Sequence, residues 1–140
     1  MLYKNLIVWQ KAMTLIERVY AEVKKFPADE RYALSDQLRR AVVSVASNIA
    51  EGSGRSTNAD YAHFLSMARG SLYETMTQLE VAERLGFIEH SQDIEDLAKE
   101  VGAMIASLMK KYGNIRSSTS TLNLKEENLH SSTSTLNFNS

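Results

Sequence analysis

Apolar residues recur every three or four positions through four successive segments of the chain, a spacing typical of α-helices that each bury one face. Proline occurs only at Pro27, and glycine is concentrated near the ends of these segments, so few residues interrupt the first 112 positions. No segment alternates as a β-strand would, because the helical period continues through the β-branched run 42–45. The residues expected to face the core are Leu6, Trp9, Ala12, Met13, Ile16, Val19, Tyr20 and Val23 in the first helix, Leu34, Leu38, Ala41, Val42, Val45 and Ile49 in the second, Tyr61, Phe64, Leu65, Ala68, Leu72, Thr75, Met76, Leu79 and Ala82 in the third, and Ile94, Leu97, Ala98, Val101, Met104, Ile105, Leu108 and Tyr112 in the fourth.

Capping and breaking residues mark the ends of these helices. The first is expected to stop before Pro27, since the residue preceding a proline is disfavoured in the helical region. Asp29 is placed to cap the second helix, the segment 56–58 the third, and Ser91 the fourth, while Gly86 can close the third. The connections are short, so neighbouring helices must run antiparallel. The pattern therefore predicts an all-α fold, an antiparallel up-down-up-down four-helix bundle.

Composition changes abruptly after residue 114. Residues 115–140 are rich in Ser, Thr and Asn, show no regular apolar face, and repeat the segment 117–123 fourteen positions later. This composition predicts a disordered, low-complexity tail that follows a helical domain spanning residues 1–114. The alternative is a tail that becomes ordered on a partner, with its sparse apolar residues as anchors.

The composition excludes several classes of protein. A chain of 140 residues suits one domain, and the absence of cysteine excludes disulfides, thiol nucleophiles and cysteine-ligated metals. No apolar run reaches the roughly 18 residues that a membrane span needs, and the start resembles no signal peptide. These features lead us to expect a soluble cytoplasmic protein that does not associate with membranes.

The second and third helices carry features that one bundle does not require. Apolar positions cover about 200° of the second helix, which is more than one core uses, and Val43, Ala46 and Ala50 are expected to be left over. Small residues line the outer side of the third helix, where Gly70 costs roughly 1 kcal/mol relative to alanine. Gly70 is either merely tolerated or allows a second copy to approach closely. The residues predicted to form an oligomer interface are Arg39, Val43, Ala46, Ala50, Ser66, Gly70 and Glu74.

Within this predicted interface, Arg39 lies among apolar neighbours, where an arginine is usually paired with a carboxylate or packed along its stem. Glu74 on the third helix is its candidate partner, either within one chain or across subunits. An interface salt bridge is the first interpretation of Arg39, and a contact to nucleic acid is the second.

The residue types present offer little for catalysis. The three histidines are not arranged with the paired glutamates of a di-iron bundle, and His63 is expected to face outward. The glycine-rich segment 52–56 lacks the lysine and spacing of a P-loop, so it is either a plain turn or a local anion site that uses Arg55. No serine has a visible base and orienting partner. The sequence leads us to expect no enzymatic activity, no metal and no cofactor.

Charge is sorted along the predicted bundle, although the formal net charge is only −1. Antiparallel packing brings Lys4, Arg55, Lys110 and Lys111 to one end, whereas the opposite end gathers mostly acidic residues. In a ring of subunits such basic ends would add together and attract phosphate backbones. The alternative is that the lysines only offset the dipole of the fourth helix.

The stretch from Gln37 to Arg55, QLRRAVVSVASNIAEGSGR, resembles the hallmark of the four-helix-bundle proteins encoded in 23S rRNA intervening sequences. Further matches are Leu6-x-x-Trp9-x-x-Ala12, the dipeptide 26–27, and the segment 64–74. The resemblance implies a bacterial protein that forms a homopentamer. This family is also similar to the accessory variability proteins of diversity-generating retroelements, which bind a reverse transcriptase and nucleic acid. The basic positions that match are Arg39, Arg40 and Arg55, and no catalytic residues are implied.

Taken together, the residues and the resemblance predict a non-enzymatic oligomeric bundle that binds nucleic acid through its basic end. Its setting would be either that of an accessory to a reverse transcriptase or rRNA intervening-sequence biology. The alternative is a structural homo-oligomeric adaptor that binds only protein partners. The residues predicted to contact nucleic acid are Lys4, Arg40, Arg55, Lys110 and Lys111.

Overall fold

The computed structural model describes residues 2–30 and 33–113, and within these ranges the chain is helical with no β-strand. The four main helices are α1 (Ile7–Val23), α2 (Leu34–Ser53), α3 (Asn58–Arg84) and α4 (Gln92–Gly113). Short 3-10 turns at Tyr3–Asn5 and Ala28–Glu30 precede α1 and α2. The predicted all-α class is confirmed.

The helices pack in a closed square, since each contacts the next along the chain and α1 also contacts α4. Two ion pairs between α1 and α4 show their relative direction: Lys11 pairs with Glu100, and Arg18 pairs with Asp93. The residue number of the partner in α4 falls as the residue number in α1 rises, so α1 and α4 run antiparallel. The predicted four-helix bundle is therefore confirmed.

The core lies between all four helices and is almost wholly aliphatic. In α1, however, the predicted face is partly wrong, because Met13 and Tyr20 are 36% and 37% exposed. Val8 and Leu15 are buried in their place. The arc of α1 that carries apolar residues is wider than the surface of α1 that contacts α2 and α4. Packing therefore buries only the part of the arc that faces these two helices. The largest fully buried apolar side chains of the bundle are Leu15, Val19, Leu38, Val42, Val45, Ile49, Leu65, Val101 and Ile105.

Three of the predicted helix ends are confirmed. The Thr57 hydroxyl accepts a hydrogen bond from the Asp60 amide at 3.1 Å, and the Ser91 hydroxyl accepts one from the Ile94 amide at 3.2 Å. Gly86 has a φ of +78° and follows the last turn of α3. The amide after it donates back to the carbonyl of residue 82 at 2.9 Å, as in a Schellman motif.

The start of α2 differs from its prediction. Asp29 does not cap this helix, because it lies in the 3-10 turn Ala28–Glu30, and α2 begins at Leu34 after Ala33. Ala33 has no side-chain oxygen to accept from the first-turn amides. Glu30 thus lies in the turn after Pro27, although the sequence pattern assigns it to the helix.

Helix α4 ends at Gly113. The predicted tail, residues 115–140, and its boundary at Asn114 lie outside the described residues. Across the part of the chain that is described, none of the helices combines the length and the apolar character that a membrane crossing requires.

Candidate nucleic-acid interface

The start of α1, the α2–α3 connection and the end of α4 meet at one end of the bundle. The 3-10 turn Tyr3–Asn5 contacts both α1 and α2, and the ring of Tyr61 near the start of α3 lies 4.5 Å from that of Tyr112 in α4. The structure therefore places Lys4, Lys110 and Lys111 at the same end as the α2–α3 connection that carries Arg55. We call this surface the basic end.

The lysines of the basic end are accessible. Lys4, Lys110 and Lys111 are all exposed, and among the described residues none of the three forms an ion pair. The Lys111 ammonium lies 5.4 Å from the centre of the Tyr112 ring, a cation–π distance that holds it near the bundle surface. Lysines without carboxylate partners retain their full attraction for phosphate.

The Tyr61–Tyr112 pair joins the start of α3 to the end of α4. Burial raises the pKa of the Tyr61 hydroxyl, and the nearby Tyr112 raises it further. Both rings are half-buried. An uncharged aromatic contact at this position fixes the last turn of α4, and with it the backbone that carries the two lysines, against α3.

Arg55 is held by two neighbours rather than left free. Its Nη2 donates to Glu51 Oε1 at 2.7 Å, and its guanidinium carbon lies 4.5 Å from the centre of the Phe64 ring. Gly52 permits this arrangement, because a Cβ at Gly52 would lie 2.7 Å from Phe64 Cβ. The sequence pattern predicts Arg55 as a contact residue but does not predict these neighbours. The spacing of four between Glu51 and Arg55, which is typical of an ion pair on a helix, was the available signal.

Arg40 does not lie with the other predicted nucleic-acid contacts. It is in the N-terminal half of α2, and from the 1.5 Å rise per residue it is roughly 20 Å along the axis from the basic end. Its Nη2 is 3.3 Å from Asp36 Oδ2, an exposed ion pair within the same helix. Arg40 and Arg39 line a shallow groove between α1 and α2 instead.

The predicted interface residues differ in how far they are buried within one chain. The expectation that Ala46 is left outside the core is wrong, since Ala46 is 4% exposed and packs in the core. It lies at the edge of the α2 arc that faces its neighbouring helices. Val43 remains 38% exposed and Ala50 is half-buried. Ser66 is exposed, and a Cβ at Gly70 would meet nothing within 4 Å.

The Arg39–Glu74 ion pair does not form within the chain. The Arg39 guanidinium carbon lies 5.9 Å from the centre of the Tyr20 ring, a contact between α2 and α1. Glu74 instead accepts a hydrogen bond from Gln78 Nε2 at 3.2 Å. Gln78 is itself buried, which the sequence pattern did not predict.

A groove of about 460 Å³ lies between α3 and α4. Its floor is apolar and includes Leu72, Met76 and Gly102. At the end of this groove that lies away from the basic end, the His90 ring bridges α3 and α4. Its Nδ1 is 2.9 Å from Glu83 Oε1 of α3, and its Nε2 is 3.0 Å from Glu95 Oε2 of α4.

The sequence pattern does not predict this bridge. The hydrogen bond to Glu83 raises the pKa of His90 above the ordinary histidine value of about 6.5, although desolvation opposes the shift. No signal in the sequence could have identified Glu83 and Glu95 as partners, because only the α3–α4 turn brings them to one ring.

The raised pKa of His90 predicts a pH dependence of stability. The protonated ring stabilises the folded α3–α4 turn fully below the ordinary histidine pKa, and this stabilisation is lost as pH rises through the higher folded-state pKa. The melting temperature of the wild type should therefore fall between about pH 6.5 and the folded-state value, whereas that of His90→Gln should fall less. Thermal melts across this range test it, and parallel curves for the two proteins would contradict it.

No metal centre is evident in the described residues, where no group of three or more His, Asp or Glu side chains is arranged to hold an ion. His63 is exposed, as expected, and contacts the edge of the Phe64 ring.

These features define a class, the antiparallel four-helix bundle with one basic end. The chain belongs to the family of 23S rRNA-intervening sequence proteins, whose family model matches residues 4–107. The predicted membership is confirmed. A crystal structure of a protein with unknown function from the S23 ribosomal protein family of Bacteroides thetaiotaomicron has a similar fold. Its TM-score is 0.68 at 24% identity, over 74% of this chain and 99% of that one. No curated protein shows significant similarity to this chain.

Proposed function

We propose that this protein is a non-enzymatic, homo-oligomeric helical bundle that binds nucleic acid through its basic end. The observation that carries the proposal is the convergence of Lys4, Lys110 and Lys111, all exposed and without ion pairs among the described residues. Such a surface favours phosphate backbones through counterion release, without regard to base sequence. The name of the family, which refers to 23S rRNA, favours RNA as the first nucleic acid to test.

Self-association would strengthen this binding, because several basic ends in one assembly present their charges together. Exposed apolar side chains on α2 and α3 support an interface: Val43 is 38% exposed, Met67 44% and Val81 39%. The open space over Gly70 would admit a helix of a second copy at close range. The homopentamer implied by the resemblance is the assembly that we propose.

The oligomer is tested by light scattering coupled to size-exclusion chromatography. The wild type is expected to elute as a multiple of its 15.7 kDa chain mass. Gly70→Glu should shift the equilibrium to the monomer, since it places a charge in the proposed interface. Ser107→Glu, an equal charge on the exposed side of α4, should leave the assembly unchanged. A monomeric wild type, or a Gly70→Glu protein that assembles normally, would contradict the proposed interface.

Nucleic-acid binding is tested by fluorescence anisotropy with labelled RNA and DNA of mixed sequence at several salt concentrations. The double variant Lys110→Glu/Lys111→Glu should bind at least about tenfold more weakly at low salt, and its salt slope should fall by about 2. The matched control is Lys24→Glu/Lys25→Glu, which makes the same change in net charge at the opposite end. It should bind like the wild type, apart from a small long-range effect.

Two results would contradict nucleic-acid binding at the basic end. One is an absence of binding at low salt, and the other is an equal loss for the two double variants. If the wild type assembles normally but does not bind nucleic acid, the exposed apolar surfaces of α2 and α3 favour the alternative, a structural adaptor for protein partners.

A further inference from the structure

Arg55 differs from the other cations of the basic end because it already has an anionic partner. The Glu51 carboxylate accepts its hydrogen bond at 2.7 Å, whereas Lys4, Lys110 and Lys111 have no ion pair among the described residues. A neighbouring carboxylate offsets much of the attraction that a guanidinium has for phosphate. Electrostatic contact with the backbone is therefore the weaker explanation of what Arg55 does.

The geometry of Arg55 suits a different role. The guanidinium carbon lies over the Phe64 ring, 4.5 Å from its centre, and Nη2 is hydrogen-bonded to Glu51. The side chain is nevertheless 42% exposed, so part of it remains open to solvent. The preceding residue, Gly54, has no side chain, and apart from its two chain neighbours a Cβ there would approach only the Glu51 carbonyl oxygen, at 3.7 Å.

A guanidinium fixed in this way is a flat surface of the kind on which unpaired bases stack. Stacking needs a base that has left the helix of a duplex, whereas lysine contacts to phosphate are available on single and double strands alike. The two kinds of contact therefore predict different preferences for strandedness.

We propose that Arg55, supported by Phe64 and oriented by Glu51, stacks on an unpaired base, so that the basic end selects single-stranded nucleic acid over duplex. This inference rests on the proposed function, because it presumes that the lysines bring a nucleic acid to this end. Arg55 is thus a contact residue for the base, and Glu51 and Phe64 are positioning residues.

The test uses Arg55→Lys in the full chain, since lysine keeps the positive charge but has no planar group. Anisotropy titrations compare a single-stranded oligonucleotide, the same sequence as a duplex, and a single strand with abasic sugars throughout. For the intact single strand, Arg55→Lys is expected to weaken binding at least about fivefold. For the duplex and the abasic strand, the variant and the wild type should bind equally.

The outcomes separate this inference from the proposed function. If Arg55→Lys weakens binding to all three probes equally, or to none, the stacking role is wrong. In that case the proposed function still stands if Lys110→Glu/Lys111→Glu weakens binding. If the wild type binds none of the probes at low salt, the proposed function fails and the stacking role fails with it. Circular dichroism of Arg55→Lys confirms that the comparison is between folded proteins.

Discussion

Leu15→Ala is expected to lower the free energy of unfolding by about 2–5 kcal/mol, the range that large-to-small core substitutions produce. Leu15 is fully buried in the centre of α1 and packs in the core between the helices. Truncation removes apolar contacts and leaves a cavity that rigid helices cannot fill by moving together. Urea denaturation followed by far-ultraviolet circular dichroism measures the change.

Met13→Ala is the matched control for Leu15→Ala, because both changes shorten an apolar side chain of α1. Met13 is 36% exposed, so its truncation should cost less than about 1 kcal/mol. The sequence pattern predicts the opposite order, since it places Met13 inward and leaves Leu15 out of the core face. Equal losses for the two variants, or a larger loss for Met13→Ala, would show that α1 is rotated from the position described above.

Gly52→Val is expected to destabilise the protein by about 1–3 kcal/mol, as overpacking of a close contact does. A Cβ at Gly52 would lie 2.7 Å from Phe64 Cβ and 3.0 Å from Tyr61 Cδ1, so α2 and α3 must separate at the basic end. Phe64 supports Arg55 and Tyr61 contacts Tyr112, and the same substitution should therefore weaken nucleic-acid binding. Chemical denaturation and anisotropy titration measure the two effects.

Gly54→Ala provides the comparison for Gly52→Val. Gly54 has a φ of −90°, which alanine adopts readily, and an added Cβ would be no closer than 3.7 Å to any atom beyond its two chain neighbours. The substitution should be neutral or should stabilise the protein by up to about 1 kcal/mol. If Gly52→Val proved as harmless as Gly54→Ala, the close approach of α2 and α3 at this point would be wrong.

The basic end shows how similar residues acquire different roles from their surroundings. The sequence pattern groups Arg55 with Lys4, Lys110 and Lys111 because antiparallel helices bring all four to one end. The structure distinguishes them: the lysines have no carboxylate partners among the described residues, and Arg55 is paired with Glu51 and lies on Phe64. We therefore assign phosphate attraction to the lysines and base stacking to Arg55 as separate, separately testable proposals.

Features that depend on residues close together in the chain follow from the amino-acid sequence alone. The spacing of apolar residues predicted four helices, and Thr57, Gly86 and Ser91 marked helix ends that the structure confirms. These signals are reliable because a helix and its caps are formed by residues within a few positions of one another. The antiparallel order followed from the short connections.

The packing of the helices determines which part of each apolar arc is buried and which distant side chains meet. It buried Leu15 and Ala46, left Met13 exposed, and joined His90 to Glu83 and Glu95. An apolar arc wider than the contact surface can be rotated by tens of degrees without changing its period, so the pattern along one helix leaves the choice open. The positions of the neighbouring helices make that choice, because close packing admits only one rotation of each helix.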